Sequence, residues 1–210
     1  MARKTKAEAE LTRHRIVDCT RRLFSRTGVT NTSLEEIARE AGVTRGAVYW
    51  HFRNKADLFH AVRAETGRLF RIDRTGPGDA LRRLEAGLLE ALRRLAEDAD
   101  AQASYEVMLW KCEYVGEFSP VRDDLMVAGA DFVADARSLF SEAKAAGLTP
   151  AWLDPEVAAT ELFCFYTGLL KLWLADKTGR LVRARAADAI AQQVRSRRQA
   201  AVRNANGKRS

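Results

Sequence analysis

Proline and glycine are scarce in this 210-residue chain, with four and 13 residues, and cysteine contributes three. So few breakers between stretches rich in Ala, Leu, Arg and Glu favour an all-α chain. No segment alternates Val, Ile or Thr with polar residues as a strand would, and no internal repeat occurs. No run reaches 18 apolar residues, and Met1 to Glu10 is charged and lacks an apolar stretch, so neither secretion nor membrane spanning is expected. The expected location is the cytoplasm. The histidines at 14, 51 and 60 and the cysteines at 19, 112 and 164 lack metal-ligand spacing, and neither a Gly-rich phosphate loop nor a Ser/His/Asp arrangement stands out. An enzyme is therefore disfavoured, and no metal or cofactor is expected. Cys112 beside Lys111 is the one thiol whose neighbour suggests a lowered pKa.

Apolar residues make up 47% and charged residues 30% of the chain, an ordinary composition for a folded soluble protein of one or two domains. The net charge is +7 and the isoelectric point is near 9.6, which suggests an anionic partner. The excess is unevenly placed. Residues 1–60 hold 12 basic and 7 acidic side chains, net +5, and residues 194–210 hold 6 and none, net +6. Residues 61–193, with 17 against 21, carry −4. An anion-binding surface thus belongs to the ends of the chain. For the stretch from Arg195 to Arg209, a solvated terminus and a DNA contact both stay open.

Pro77, Pro120, Pro150 and Pro155 sit where helical periodicity fails and mark helix boundaries. The pattern predicts helices over 7–26, 34–41, 45–51, 55–72, 79–98, 101–115, 120–146, 156–175 and 184–202. In the first, Leu11, Ile16, Cys19, Leu23 and Phe24 fall on one face and Arg13, Arg15, Arg21, Arg22 and Arg26 on the others. Gly28 supplies its stop. The run from Thr75 to Asp79 reads as a turn. A small basic domain over 1–60, with a loose tail at 1–8, should precede a larger one over 61–204 and a basic tail at 205–210.

The sharpest signal lies between Thr32 and Lys55. Ser33 followed by Glu36 is a capping box that starts a helix of about two turns, and Gly42 arrives as its C-terminal residue. Thr44 caps a second short helix. Two short helices joined by a Gly-containing turn describe a helix-turn-helix, with Ile37, Ala41, Val43 and Val48 facing a common core and small Ala38 and Ala47 allowing close approach. Asn54 caps the next helix, with Asp57 three residues on. On DNA, Thr44, Arg45 and Gly46 would lie nearest the base edges, with Ala47 and Tyr49 beside them; Arg45 can pair bidentately with guanine. Ser33, His51, Arg53 and Lys55 are placed for phosphate. Trp50 can either pack on the DNA backbone or anchor the helix in its own domain. Two capped helices also occur in proteins that never touch DNA, and a helical interaction module with basic ends is the competing reading.

The run from Thr44 to Phe59, following Ile37-Ala-Arg-Glu-Ala-Gly-Val43, resembles the DNA-binding domain of the TetR family of bacterial one-component repressors. The opening Met1-Ala-Arg-Lys-Thr-Lys and the run Lys111-Cys-Glu-Tyr-Val-Gly-Glu-Phe118 resemble the AcrR/TtgR subgroup. The resemblance implies a nine-helix all-α regulator with a three-helix DNA-binding domain and a C-terminal domain for ligand binding and dimerisation. It further implies repression of a multidrug efflux operon, with a metabolite sensor over a biosynthetic or catabolic operon as the alternative.

Residues 162–174 are apolar on every side except Thr167 and Lys171, and a helix of that kind must be buried on every side. Leu169, Leu172 and Trp173, with Ala187, Ile190 and Val194 from the last helix, are the expected homodimer interface. Two recognition helices related by a two-fold axis would read a pseudo-palindromic operator in double-stranded DNA. Leu84, Leu88, Tyr105, Leu109, Phe132, Ala136, Phe163, Tyr166 and Thr167 are the expected lining of a pocket for a hydrophobic or aromatic inducer; they align with pocket positions of the resembling subgroup. Thr167 stands where that subgroup has an acid. Ligand binding is expected to swing the fourth helix and carry the helix-turn-helix pairs out of groove register.

Overall fold

The computed structural model describes residues 6–64, 72 and 74–198. Nine α-helices and two single turns of 3-10 helix occur among the described residues, and no strand. The helices are α1 (Lys6–Thr27), α2 (Leu34–Glu40), α3 (Arg45–His51), α4 (Lys55–Ala64), α5 (Ala80–Glu97), α6 (Ala99–Trp110), α7 (Ser119–Ala145), α8 (Pro155–Ala175) and α9 (Ala186–Arg195). The predicted extension of α4 to residue 72, the end of the last helix at 202 and the tail at 205–210 fall on or run into positions outside the described residues. Two compact units emerge, one of residues 1–71 with 91–130 and one of 72–90 with 131–210. The segment 1–60 lies wholly in the first.

In the first unit α1 packs against α2, α4 and α6. Ile16, Cys19, Leu23 and Phe24 of α1 are buried as their spacing requires, and Gly28 stops the helix in the left-handed region at φ 87°. Two residues depart from the expected pattern. Leu11 is 72% exposed, and its place on the inner face is taken by Thr12, which returns its hydroxyl to the Glu8 carbonyl. Arg21, assigned by periodicity to an outer face, is buried and pairs with Asp18 on its own helix and with Asp100 on α6. A buried guanidinium needs such partners, and Asp100 lies 79 positions away, beyond the reach of any pattern within α1.

The predicted sixth helix to residue 115 ends at Trp110. The following stretch is pulled onto the basic domain: the Val29 amide donates to the Lys111 carbonyl at 2.9 Å. Tyr114 takes the left-handed conformation, φ 49°, the one non-glycine to do so among the described residues. Its hydroxyl donates to the Met108 carbonyl and its ring meets Phe59 of α4 edge-on, as does Phe118. These contacts substitute for the helical hydrogen bonds lost beyond Trp110 and hold a backbone conformation that a tyrosine otherwise avoids.

The second unit is built on α8, whose inward side buries Ala158, Ala159, Leu162, Tyr166, Leu170, Trp173 and Leu174. Asp154 caps it and Pro155 occupies its first turn. All four prolines lie at helix starts or in turns, as predicted. α8 is the one described helix long and apolar enough to cross a membrane by length and composition. Beyond it, Asp176 gathers the chain: its carboxylate accepts from the amides of Gly179, Leu181, Val182 and Arg183 and from the Thr178 hydroxyl. Arg183 lies over the Trp173 ring, 4.0 Å from its centroid, and donates to the Trp173 carbonyl. This staple explains why α9 begins at Ala186, two residues later than its periodicity suggests.

The basic stretch from Arg195 onward is engaged as far as it is described. Arg195 pairs with Glu85, Arg197 with Glu161 and Arg198 with Asp79. Three of the six basic residues of 194–210 thus meet carboxylates of the acidic body. Asp79 is held below the usual carboxylate range, first by the Arg198 hydrogen bond and also by the Arg82 amide, against the opposing effect of burial.

Candidate nucleic-acid interface and sensor residues

The geometry of the helix pair follows from its caps. Ser33 accepts from the Glu36 amide at 3.2 Å, and the Glu36 carboxylate accepts from the Ser33 amide at 2.8 Å, so the capping box is complete. The Ser33 amide and hydroxyl hold the Glu36 pKa below its ordinary value. Gly42 turns the chain with φ 62°. The Thr44 hydroxyl accepts from the Ala47 amide at 3.1 Å to begin α3. Ile37, Ala38, Ala41 and Val48 are consumed in the core, while Val43 and Ala47 are half-buried. The buried face of the pair is therefore spent on holding α2 and α3 together, and its other side chains face solvent.

That outward set contains half of the predicted contacts. Thr44, Arg45, Gly46, Tyr49 and Trp50 are exposed, and a side chain added at Gly46 would meet only the Thr44 hydroxyl, at 3.9 Å. Trp50 is 73% exposed, with the His51 ring edge-on at 4.4 Å; it does not anchor the helix in the core. Arg45 donates from Nη2 to the Tyr49 hydroxyl at 3.1 Å, lies 5.3 Å from the centre of that ring, and pairs through Nη1 with Glu35 of α2. These contacts raise its pKa, the Tyr49 hydrogen bond most of all.

The predicted phosphate contacts are already occupied within the chain to different degrees. Arg53 forks onto Asp57, at 2.8 and 3.0 Å, and lowers the Asp57 pKa chiefly through that hydrogen bond. Both ends of this pair reach solvent, so it is weak and easily exchanged. Asn54 caps α4 through the Asp57 amide at 2.8 Å, as expected. Lys55 turns back: its ammonium donates to the carbonyls of Thr30 and Thr32, each at 3.1 Å, with Phe118 at 5.9 Å. Sequence spacing could not anticipate this bond because Thr30 is 25 positions away. Lys55 also borders a half-open cleft of about 180 Å³ with Thr30, Glu113, Tyr114, Val115, Glu117 and Phe118.

Of the predicted pocket residues, Leu84, Leu88, Phe132, Ala136, Phe163, Tyr166 and Thr167 belong to the second unit, and Tyr105 and Leu109 to α6 of the first. Within the second unit, Phe132 stacks on Tyr166, with centroids 5.8 Å apart and planes 7° apart, and lies 5.6 Å from Phe163. Tyr166 donates to the Leu88 carbonyl at 3.1 Å, and burial pushes its phenol well above the ordinary range. The Thr167 hydroxyl is buried and has no hydrogen-bond partner among the described residues. A buried polar atom of this kind calls for a missing partner. Tyr105 is also buried, and Leu109 is half-buried.

The predicted interface set divides. Trp173, Ile190 and Val194 are buried within the single chain, where α8 and α9 pack together. Leu172 and Ala187 are exposed, and Leu169 is half-buried. In the single chain α8 keeps an uncovered side: Val157 and Leu172 remain more than half exposed and Cys164 faces outward. Cys112 departs from expectation too, because burial pushes its thiol up, with the Tyr114 amide and Lys55 only partly opposing this.

Comparison with known proteins extends over nearly all of the described chain. Residues 16–62 match "Bacterial regulatory proteins, tetR family", and residues 79–196 match "MAATS-type transcriptional repressor, C-terminal region". The HTH-type transcriptional regulator AcrR of Shigella flexneri is 38% identical over 182 residues, 83% of this chain and 83% of the relative. The regulator TtgR of Pseudomonas putida is 34% identical over 186 residues, covering 83% and 85%. Among solved structures, NalD, described as the secondary repressor of the MexAB-OprM multidrug efflux pump in Pseudomonas aeruginosa, superposes with a TM-score of 0.79 at 29% identity. That match covers 92% of this chain and 98% of NalD.

Proposed function

The chain belongs to the tetR family of bacterial regulatory proteins, transcriptional regulators and not enzymes, and from that premise we propose a homodimeric repressor of a multidrug efflux operon. It binds a pseudo-palindromic operator and is released by an apolar or aromatic small molecule. The observation that carries the reading is the outward face of α3: Thr44, Arg45, Tyr49 and Trp50 stand exposed on a helix whose other face is fully used. Exposed aromatics and an arginine at the N-terminal end of a short, capped helix suit a groove better than bare solvent. The efflux assignment is supported by the similarity to NalD, which is described as a repressor of a multidrug efflux pump.

Two further observations support the remaining parts. The orphan Thr167 hydroxyl, on the same helix as Phe163 and Tyr166, whose rings meet Phe132 of α7, offers an apolar ligand one polar anchor. The uncovered apolar residues of α8, with Leu172 at 56% exposure, favour a second copy of the chain as their cover. Inducer and operator then oppose each other by linkage, each weakening the other by the same factor.

Selection of bound DNA from a random pool with the full-length chain tests the reading. The expected result is a pseudo-palindrome with half-sites about one helical turn, roughly 34 Å, apart, in front of a transporter operon. Absence of any enriched sequence refutes DNA reading. Apolar aromatic compounds shown by calorimetry to bind should weaken the operator complex; if saturating amounts leave it unchanged, the sensor assignment fails.

A further inference from the structure

The Arg45 guanidinium is held from two sides before any DNA arrives. Nη1 meets the Glu35 carboxylate at 2.5 Å, and Nη2 donates to the Tyr49 hydroxyl while the Tyr49 ring flanks the guanidinium. Glu35 is on α2 and Tyr49 one turn along α3, so the side chain is tied to both helices of the pair. Each outer nitrogen carries two protons, and each contact uses one. Three of the five protons, the Nε proton and one on each outer nitrogen, remain, and a guanine O6/N7 edge needs two of them to be met bidentately.

From this geometry we infer that Glu35 is a specificity-determining positioning residue, which holds the Arg45 fork for one base of the operator. The inference rests on the reading of α3 as the groove-reading helix. Two effects of the carboxylate run in opposite directions. By restricting a long, rotamer-rich side chain it sharpens the choice of base, because Arg45 is less free to settle on a neighbouring base or phosphate. By adding a negative charge beside the polyanion it lowers affinity for every sequence. A carboxylate retained on such a face exchanges affinity for discrimination.

The test uses the full-length protein and the operator selected from the random pool, with each base of one half-site substituted in turn. Arg45→Ala locates the position read by Arg45, as the position at which discrimination collapses. Glu35→Gln, which keeps the shape and removes the charge, is expected to lower discrimination at that position alone by roughly tenfold. It is also expected to raise affinity for unrelated DNA about twofold. In the Arg45→Ala background the discrimination effect of Glu35→Gln should vanish. A purely structural role for Glu35 in the first turn of α2 would weaken all sequences alike and leave the discrimination ratio in place, and that outcome overturns the inference while the groove-reading assignment survives. If Arg45→Ala itself leaves every position unchanged, both fall together.

Discussion

Replacing Phe59 with leucine should loosen the first unit in a way that can be sized from its ring contacts. Phe59 is fully buried on α4, and its ring lies 6.4 Å from Phe24, 6.1 Å from Tyr114 and 5.9 Å from Phe118, the last two edge-on. Aromatic pairs contribute about 0.5–1.5 kcal/mol each beyond the area they bury, and three pairs sharing one ring are not additive. Leucine keeps most of the apolar contact, so Phe59→Leu is expected to cost about 2–3 kcal/mol. Phe59→Ala also leaves a cavity and should cost about 3–5 kcal/mol. At roughly 2–4 °C per kcal/mol for a chain of this size, the leucine variant should melt about 4–12 °C lower. Thermal unfolding followed by circular dichroism at a fixed protein concentration measures this, the concentration being held because association shifts the midpoint. Hydrogen exchange supplies the local readout: the Val29 amide, bonded to the Lys111 carbonyl, should exchange faster once the 111–118 stretch loses its hold on α4. A melting point within about 1 °C of the parent, together with unchanged exchange at Val29, would refute the idea that Phe59 binds these segments.

Four further outcomes follow from other contacts. Desolvation raises the Asp176 pKa, but the amides of Arg183 and Val182, the Thr178 hydroxyl and the Leu181 amide together hold it well below its ordinary value. Its contribution is therefore complete above the unfolded pKa of about 3.9 and is lost as pH falls through the folded value. Asp176→Ala should lower the melting point at pH 7, with the gap to the parent closing in acid; a gap independent of pH would contradict the staple. Ile190→Ala removes a fully buried side chain and should cost about 2–5 kcal/mol in thermal unfolding. By contrast Leu172→Glu, at an exposed position, should split the proposed dimer in sedimentation while leaving helical content intact; a dimer that persists rules out that face. Lys55→Ala should weaken operator and random DNA alike and lower the salt slope by about one if its third proton reaches a phosphate. It should also lower stability, because the Thr30 and Thr32 carbonyls lose their donor; an unchanged salt slope assigns Lys55 to structure alone.

Local chemistry made much of the fold and of the exposed face of α3 legible. A hydroxyl three positions before a glutamate, a glycine with positive φ and a proline at a helix boundary act within one turn of chain, so the caps at Ser33, Thr44 and Asn54 and the stops at Gly28 and Gly42 stand where the residues alone put them. Periodicity likewise separated the inner Ile37 and Val48 from the outer Arg45 and Tyr49, because the 3.6-residue repeat assigns faces within a single helix. Tertiary structure decided whatever depends on distant partners. It buried Arg21 against Asp100, turned Lys55 toward Thr30, set Arg195, Arg197 and Arg198 onto Glu85, Glu161 and Asp79, and buried Ile190 and Val194 within the single chain. A helical pattern specifies that a face is covered and not by what, since apolar burial is non-directional; the cover, and the partner of each charge, exist only once segments far apart in sequence have met.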